Sequence, residues 1–371
     1  MSPGGLGLHY HGPAISLFRL LTNLKDRLCV DVIHGSLEQG DLVPLEGRAI
    51  RIGTAREHFR NSLSYPLLAS WFILMNRRRY DIIMLTTSNL LTLLPGAIAR
   101  VCGMRVIARA AAIAEVSTET GGIFGAALKR GLMRRASAYL AISRGILEEL
   151  KKAIGENASI QYIPNSVDTE RFSPEGRRAE TAIASDLSPE AASGLKLVCV
   201  GAVGERKGQH LLVEALSHLP ESVSLLLVGP CNDPRYLKRI ETMVDDFSLD
   251  RRVVHIPFMN DIERAYGTGD IFVLPSAGEG MPNGMLEAMA CGLVPIGTRI
   301  SGIEDLVQDD CGKFVERDAR SIAAAVRLYV ENPELLKRQG RQARQIIEQT
   351  YAAQPVSERF FALLAGTSVP K

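Results

Sequence analysis

The chain has 371 residues, 46% hydrophobic and 23% charged, with a formal net charge of +2. That is too long for one ordinary core and suits two domains of roughly 150–200 residues each, and the absence of low-complexity tracts and fixed-period repeats excludes linker-like and solenoid chains. The charge is uneven: residues 1–165 hold 20 Lys/Arg against 12 Asp/Glu, a net +8, and the remainder holds 23 against 29, a net −6. A basic first half suits an anionic partner or membrane surface, or is an ordinary solvated surface.

The six cysteines form no C-x-x-C pair and mostly sit in apolar runs, so they read as reduced, buried thiols of a cytosolic protein. The first residues do not have the basic-then-apolar order of a signal peptide. The apolar stretch Leu63–Met75 is interrupted by Ser64, Tyr65, Pro66 and Ser70 and falls short of the roughly 20 residues a spanning helix needs.

In chain order, the glycine-rich start Met1–Gly7 reads as a loop that ought to follow a strand, although no strand precedes it. A natural chain longer at this end is therefore expected. A helix follows from about Pro13 to Lys25, with proline in the first turn where it is tolerated. Strands are expected at Cys29–Gly35, Asp81–Thr86, Met104–Ala110, Ala138–Ile142 and Ile160–Ile163. The turn-forming run Pro164–Asp168, then Pro174, a charged stretch and an Ala/Ser-rich stretch up to Gly194 mark a domain break. A second series of strands is expected at Lys196–Gly201, Val223–Gly229, Val253–Phe258, Ile271–Pro275 and Val294–Gly297. Runs such as Leu225–Val228 are apolar without alternation, as in parallel strands buried on both faces. Amphipathic stretches such as Gly145–Ala153 and Gly208–Leu219 lie between strands, which means βαβ units. The expected organisation is one α/β domain over residues 1–165, a second over 166–350, and a further segment 351–371.

The most informative segment is Phe272–Pro295. It reads as a buried strand, a glycine-rich turn over Gly278–Gly284, a helix from about Met285 to Cys291, and a further strand. Ligands of open α/β sheets bind beyond the carboxyl ends of the strands, and N–H groups at a helix start favour an anion. Gly280 and Gly284 allow close backbone approach. Glu279 in the turn and Glu287 in the helix place two carboxylates beside an anion-binding loop, which suits a ligand with both phosphates and hydroxyls.

Pro275, Ser276, Glu279, Gly280, Pro282, Glu287, Ala288, Met289, Ala290, Gly292 and Pro295 give this run its resemblance to the signature of glycosyltransferase family 4, with two glutamates seven residues apart. The resemblance implies the GT-B fold: two Rossmann-like, doubly wound parallel-sheet domains facing a cleft, residues 1–165 binding the acceptor, 166–350 the nucleotide-sugar donor, and 351–371 forming a helix that returns to the first domain. It implies a retaining enzyme that needs no metal and uses a nucleotide sugar as co-substrate, the nucleotide being UDP, GDP or ADP. The acceptor implied is a glycan, a lipid-linked sugar or a polysaccharide of the cell envelope or exopolysaccharide. Glu279 would hold the donor sugar at the reacting face, and Glu287 the ribose. The backbone at Met281, Pro282, Asn283 and Gly284 would meet sugar and phosphates.

The run Val200–Gly208 resembles the family's loop G-R-x-x-x-x-K-G, whose cations neutralise the diphosphate. Gly201, Lys207 and Gly208 match. Ala202 stands where the arginine is expected, and Arg206 either replaces it or faces solvent. Phe258 is a candidate contact for the donor base, or simply a strand end.

In the first half, Arg144 after Ser143 is a candidate anion contact or a surface ion pair. Gly5, His9 and His11 belong to a loop that faces the cleft in relatives. The histidine that many relatives carry after the Met104–Ala110 strand is missing, and Arg109 is the nearest polar candidate. Arg77–Arg79, following an apolar helix with Trp71 and Phe72, suit contact with an anionic membrane or a solvated helix end. A cytoplasmic enzyme, also at the inner membrane face, is expected, with no nucleic-acid partner. Two other activities fit the same pattern: a non-catalytic sugar-nucleotide or glycan binder, and a sugar-nucleotide epimerase.

Overall fold

The computed structural model describes residues 12–34, 49–51, 61–86, 88–117, 122–175 and 187–367. The chain divides into two compact units, Met1–Ser166 with Ala353–Lys371, and Val167–Ala352.

In the first unit, β1 (Val32–His34) and β2 (Ala49–Arg51) form a two-stranded parallel pair. A separate parallel sheet runs β3 (Ile82–Leu85), β4 (Arg105–Ala110), β5 (Ala138–Ala141) and β6 (Ile160–Tyr162) in that order. The expected strand at Cys29–Gly35 thus shrinks to three residues. β2, too short and too little patterned to stand out, was not expected. Every residue of β5 is buried, as are the last five of β4, because helices cover a parallel sheet on both faces. The helix Gly12–Thr22 puts Leu17, Leu20 and Leu21 into the core.

The C-terminal helix Ala353–Ala365 belongs to this unit and buries Val356, Phe360 and Leu363. Polar contacts fix its register. Arg105 Nη1 donates to the Leu364 carbonyl at 2.8 Å, Arg359 Nη2 to the Tyr162 carbonyl at 2.8 Å, and Arg27 sits 3.5 Å over the Phe361 ring.

The second unit is a six-stranded all-parallel sheet: β7 (Leu195–Val200), β8 (Val223–Val228), β9 (Val253–Ile256), β10 (Ile271–Leu274), β11 (Val294–Thr298) and β12 (Lys313–Val315). Its order is β12-β11-β10-β7-β8-β9. The chain steps outward from β7 through β8 to β9, then returns to the far side of β7 with β10. The crevice between β7 and β10 is therefore the topological switch point, where doubly wound sheets bind ligands. β8, β10 and β11 are buried throughout; β10 is an unbroken apolar run, while the buried hydroxyls of Ser224 in β8 and Thr298 in β11 are satisfied by the Ala191 and Ser276 carbonyls.

The cysteine reading is corrected for half of them. All six are free thiols and Cys199, Cys291 and Cys311 are buried, but Cys102 and Cys231 are half-buried and Cys29 is exposed because its segment lies outside β1. Among the described residues no helix is long and apolar enough to cross a membrane. The expected loop with Gly5, His9 and His11 lies outside the described residues.

Candidate functional site

Two loops leave the sheet at the switch point. The first follows β7. Gly201, at φ +134°, donates its N–H to the Val228 carbonyl at 2.8 Å, and Val203 donates to the Pro230 carbonyl at 2.8 Å. Ladder bonding thus continues past the strand before the chain turns. The N–H groups of Lys207 and Gly208 both donate to the Gly204 carbonyl, closing a turn, and Gly208 at φ +75° leads into the helix Gln209–Ser217. A side chain at Gly208 would stand 2.7 Å from the Pro275 carbonyl oxygen, so only glycine lets the first loop lie this close to the second.

The second loop follows β10 and runs into the helix Asn283–Ala290. The two are joined directly, since the Arg206 carbonyl accepts from the Ala277 N–H at 2.8 Å. Arg317, beyond β12, straps them by donating to the Pro275 carbonyl at 3.2 Å and the Glu205 carbonyl at 2.6 Å.

Glu279 is the centre of the site. Its Oε1 accepts from Lys207 Nζ at 3.0 Å, Arg206 Nη1 at 2.8 Å and Ser276 Oγ at 2.9 Å. Burial pushes its carboxyl upward. The Lys207 and Arg206 charges, with the hydrogen bonds from Lys207 and Ser276, outweigh that and hold it below the usual carboxylate range. The two cations differ. The side chain of Lys207 is only 13% exposed and that of Glu279 11%, whereas that of Arg206 is 58% exposed while also donating to the Gly278 carbonyl. Gly201 lies under the lysine, where a β-carbon would stand 3.0 Å from Lys207 Cε.

Glu287, on the helix Asn283–Ala290, is buried and accepts from Tyr266 Oη at 2.8 Å. The Tyr266 ring is held between Phe172, edge-on at 5.9 Å, and Phe272 at 6.3 Å. A β-carbon on Gly284 would stand 3.4 Å from Tyr266 Oη and 3.1 Å from the Val200 carbonyl. Gly284 is thus a close-packing position as well as a loop residue. Met281 and Pro282 are buried, with Gly280, Asn283 and Gly284 partly exposed. Gly302, at φ +83°, backs the loop, since a β-carbon there would stand 2.1 Å from the Gly280 carbonyl oxygen.

The expected residues therefore separate. Lys207, Arg206 and Glu279 meet on one oxygen. Glu287 stands on the helix opened by the same loop. Phe258 is 57% exposed past the end of β9, with β8 between that strand and β7.

Arg109 and Arg144 belong to the first unit. Arg109 is fully buried and donates to Ser16 Oγ at 2.6 Å and Asn165 Oδ1 at 2.8 Å, tying β4 to the helix Gly12–Thr22 and to the loop after β6. Burial pushes its guanidinium down to about 10, so it stays charged at neutral pH. Arg144 is exposed at the start of the helix Arg144–Ile154, whose cap Ser143 Oγ accepts from the Ile146 N–H at 3.3 Å. Glu115, past the end of β4, has no role in the sequence reading. It accepts from the Ala111 N–H at 3.1 Å, and burial raises its carboxyl.

Three parts of the site in the second unit carried no signal in the sequence pattern: Tyr266, Arg317 and the bond from Ser276 to Glu279. Ser276 was visible as part of the motif. Tyr266 and Arg317 carry no local signal, because only the sheet order brings them to the loops.

Residues 188–346 match the family model described as glycosyl transferases group 1. The chain is 28% identical over 251 residues (64% of each chain) to the GDP-mannose-dependent alpha-(1-6)-phosphatidylinositol monomannoside mannosyltransferase of Mycolicibacterium smegmatis. It is 31% identical to the UDP-Gal:alpha-D-GlcNAc-diphosphoundecaprenol alpha-1,3-galactosyltransferase of Escherichia coli, over 45% of this chain and 43% of that one. The chain thus spans about half the length of the curated relatives it matches. Among solved structures, Anabaena Alr3699/HepE in complex with UDP-glucose superposes with a TM-score of 0.77 at 20% identity, covering 97% of both chains. The fold is accordingly the GT-B fold of glycosyltransferases, with two Rossmann-like parallel-sheet domains.

Proposed function

We propose that the chain is a retaining glycosyltransferase of family 4 that moves a hexose from a nucleotide-sugar donor to a glycan, lipid-linked or polysaccharide acceptor of the cell envelope. The observation that carries this reading is the convergence of Lys207, Arg206 and Ser276 on one oxygen of Glu279 at the switch point of the second unit. It is supported by the family match over the same residues, and by relatives whose names specify GDP-mannose or UDP-galactose donors and lipid acceptors.

Cleavage of a sugar–diphosphate bond builds negative charge on the leaving group. Lys207, fixed by its turn and nearly buried, stabilises that charge without reorganising. Arg206, on the exposed side of Glu279, adds a second cation where the family's arginine is replaced by Ala202. Donor phosphates draw both cations from Glu279, whose ionised carboxylate is then available to hold hydroxyls and stabilise positive charge at the anomeric carbon. Glu287 binds the ribose hydroxyls, with Tyr266 fixing the carboxylate. Gly280–Gly284 lies against the donor sugar and phosphates.

The first unit takes the acceptor. The two cations supply the charge at the diphosphate that a divalent ion supplies elsewhere, so transfer is expected to persist in EDTA. The enzyme works in the cytoplasm, at the inner face of the membrane.

The test is transfer, or slow donor hydrolysis, measured with UDP-, GDP- and ADP-sugars. Glu279→Ala and Lys207→Ala should each abolish turnover while circular dichroism stays that of wild type. Turnover at the wild-type rate in both variants would refute the assignment. Tight donor binding with no turnover under any acceptor would point instead to a sugar-nucleotide binder. Release of an altered nucleotide sugar without acceptor would point to an epimerase.

A further inference from the structure

The helix Asn61–Met75 of the first unit is turned inside out for a soluble surface. Leu67, Leu68, Trp71, Leu74 and Met75 are exposed, Trp71 at 62%, while Pro66, Ala69 and Ile73 are buried. The exposed set falls at i, i+1, i+4, i+7 and i+8, one continuous helix face. Phe72 points the other way, with its ring 6.3 Å from that of Tyr80. The helix packs against Leu90–Val101, which exposes Leu90, Leu94 and Val101 at i, i+4 and i+11. Contiguous apolar surface of this kind marks an interaction site rather than ordinary scatter.

The charge beside it identifies the partner. The first helix leads into β3 and the second into β4, and these strands are parallel neighbours. Both helices therefore end at the same edge of the sheet. Exposed Arg77, Arg78 and Arg79 follow the first helix, and exposed Arg100 closes the second. The helix Gly122–Met133 leads into β5, parallel to β4, and brings exposed Arg134 and Arg135 to that edge too. One cation at a helix end complements the dipole; a row of six bordering an exposed leucine–tryptophan face exceeds that need.

We propose that this face docks the protein on an anionic lipid bilayer, with Trp71 and its neighbouring leucines at the headgroup–acyl boundary and the arginine edge on the lipid phosphates. A second copy fits less well, because it would meet the apolar face with the same basic border, whereas an anionic bilayer matches both the apolar face and the charge. The inference places the membrane partner of the proposed function on named residues, but it rests on this surface alone and does not need the nucleotide reading.

Trp71 is the only tryptophan in the chain, so its emission reports the contact directly. The full chain is titrated with vesicles of phosphatidylcholine alone and of phosphatidylcholine with phosphatidylglycerol. The expected result is a blue shift with anionic vesicles only, weakened by salt and quenched by brominated acyl chains. The triple variant Arg77→Glu/Arg78→Glu/Arg79→Glu should bind roughly a hundred-fold more weakly, at about five-fold per arginine. Leu67→Ser/Leu68→Ser should keep electrostatic attraction but lose quenching by brominated chains, and it decides the matter should the triple variant fail to fold. An unshifted spectrum with anionic vesicles, or unchanged binding by the variants, would overturn the proposal. A concentration-dependent blue shift without lipid, with dimers by light scattering, would overturn it in favour of a second copy. Stabilisation of the same sample by nucleotide reports the second unit separately, so failure of one reading leaves the other standing.

Discussion

At Glu279, Lys207, Arg206 and Ser276 all donate to a single oxygen of a nearly buried carboxylate. Its folded-state pKa lies below that of the unfolded chain, so its contribution to stability is present above about pH 4.3 and is lost as pH falls through the lower folded value. Urea unfolding of wild type against Glu279→Gln should show the wild-type advantage at pH 7 and its decline below about pH 4. A constant difference across that range would mean that the carboxylate is not held ionised by its neighbours. Because Glu279→Gln also releases Lys207 and Arg206, it should keep nucleotide diphosphate binding while losing transfer, a split readable by calorimetry beside a turnover assay. Tyr266→Phe leaves Glu287 buried without its tyrosine donor and should cost about 1–3 kcal/mol in unfolding free energy, with weakened nucleotide binding. Glu279, Glu287 and Lys207 were legible because their spacing along the chain carries the pattern. Whether Arg206 stands in for the arginine absent at Ala202 or faces solvent was not, because a side chain in a turn is aimed by the opposing loop. The side chain bonds to Glu279 and remains largely exposed.

At the scale of elements, the site exists because β10 returns beside β7. The loops after these strands are about 70 residues apart in sequence, yet Ala277 bonds to Arg206 across them. The central strands were legible, since β10 and the Leu225–Val228 part of β8 are unbroken apolar runs of the length a buried parallel strand requires. β2 and β12 were not, because three residues carry no periodicity, and β12 begins with a lysine. Strand order was also out of reach, because parallel pairing leaves no local mark. Glycine carries the close approach of the loops. Gly201→Ala places a side chain at φ +134° against Lys207 and should destabilise the second unit by about 1–3 kcal/mol while displacing the lysine. The expected readout is a lower melting temperature together with loss of nucleotide-induced stabilisation. Gly204→Ala, where a β-carbon would meet no atom within 4 Å, should change neither.

For the whole molecule, the C-terminal helix packs in the first unit although the residues before it belong to the second. Phe360 is fully buried there, and Phe360→Ala should cost about 3–5 kcal/mol. That loss should fall on the first unit, leaving nucleotide stabilisation of the second intact. The two-domain α/β reading was legible from strand–helix alternation and the turn-rich break. The exposed face of the helix Asn61–Met75 was only half legible, since Trp71 and Phe72 are adjacent in sequence and point to opposite sides. Lys207 is the nearly buried cation of the proposed nucleotide-diphosphate site. Thermal unfolding of wild type and Lys207→Ala, each with UDP, GDP or ADP, tests it most directly, because a ligand of the folded state raises the transition with concentration. One nucleotide should stabilise wild type in this way and leave Lys207→Ala unmoved; equal stabilisation of both proteins, or none in wild type by any of the three, would contradict the account.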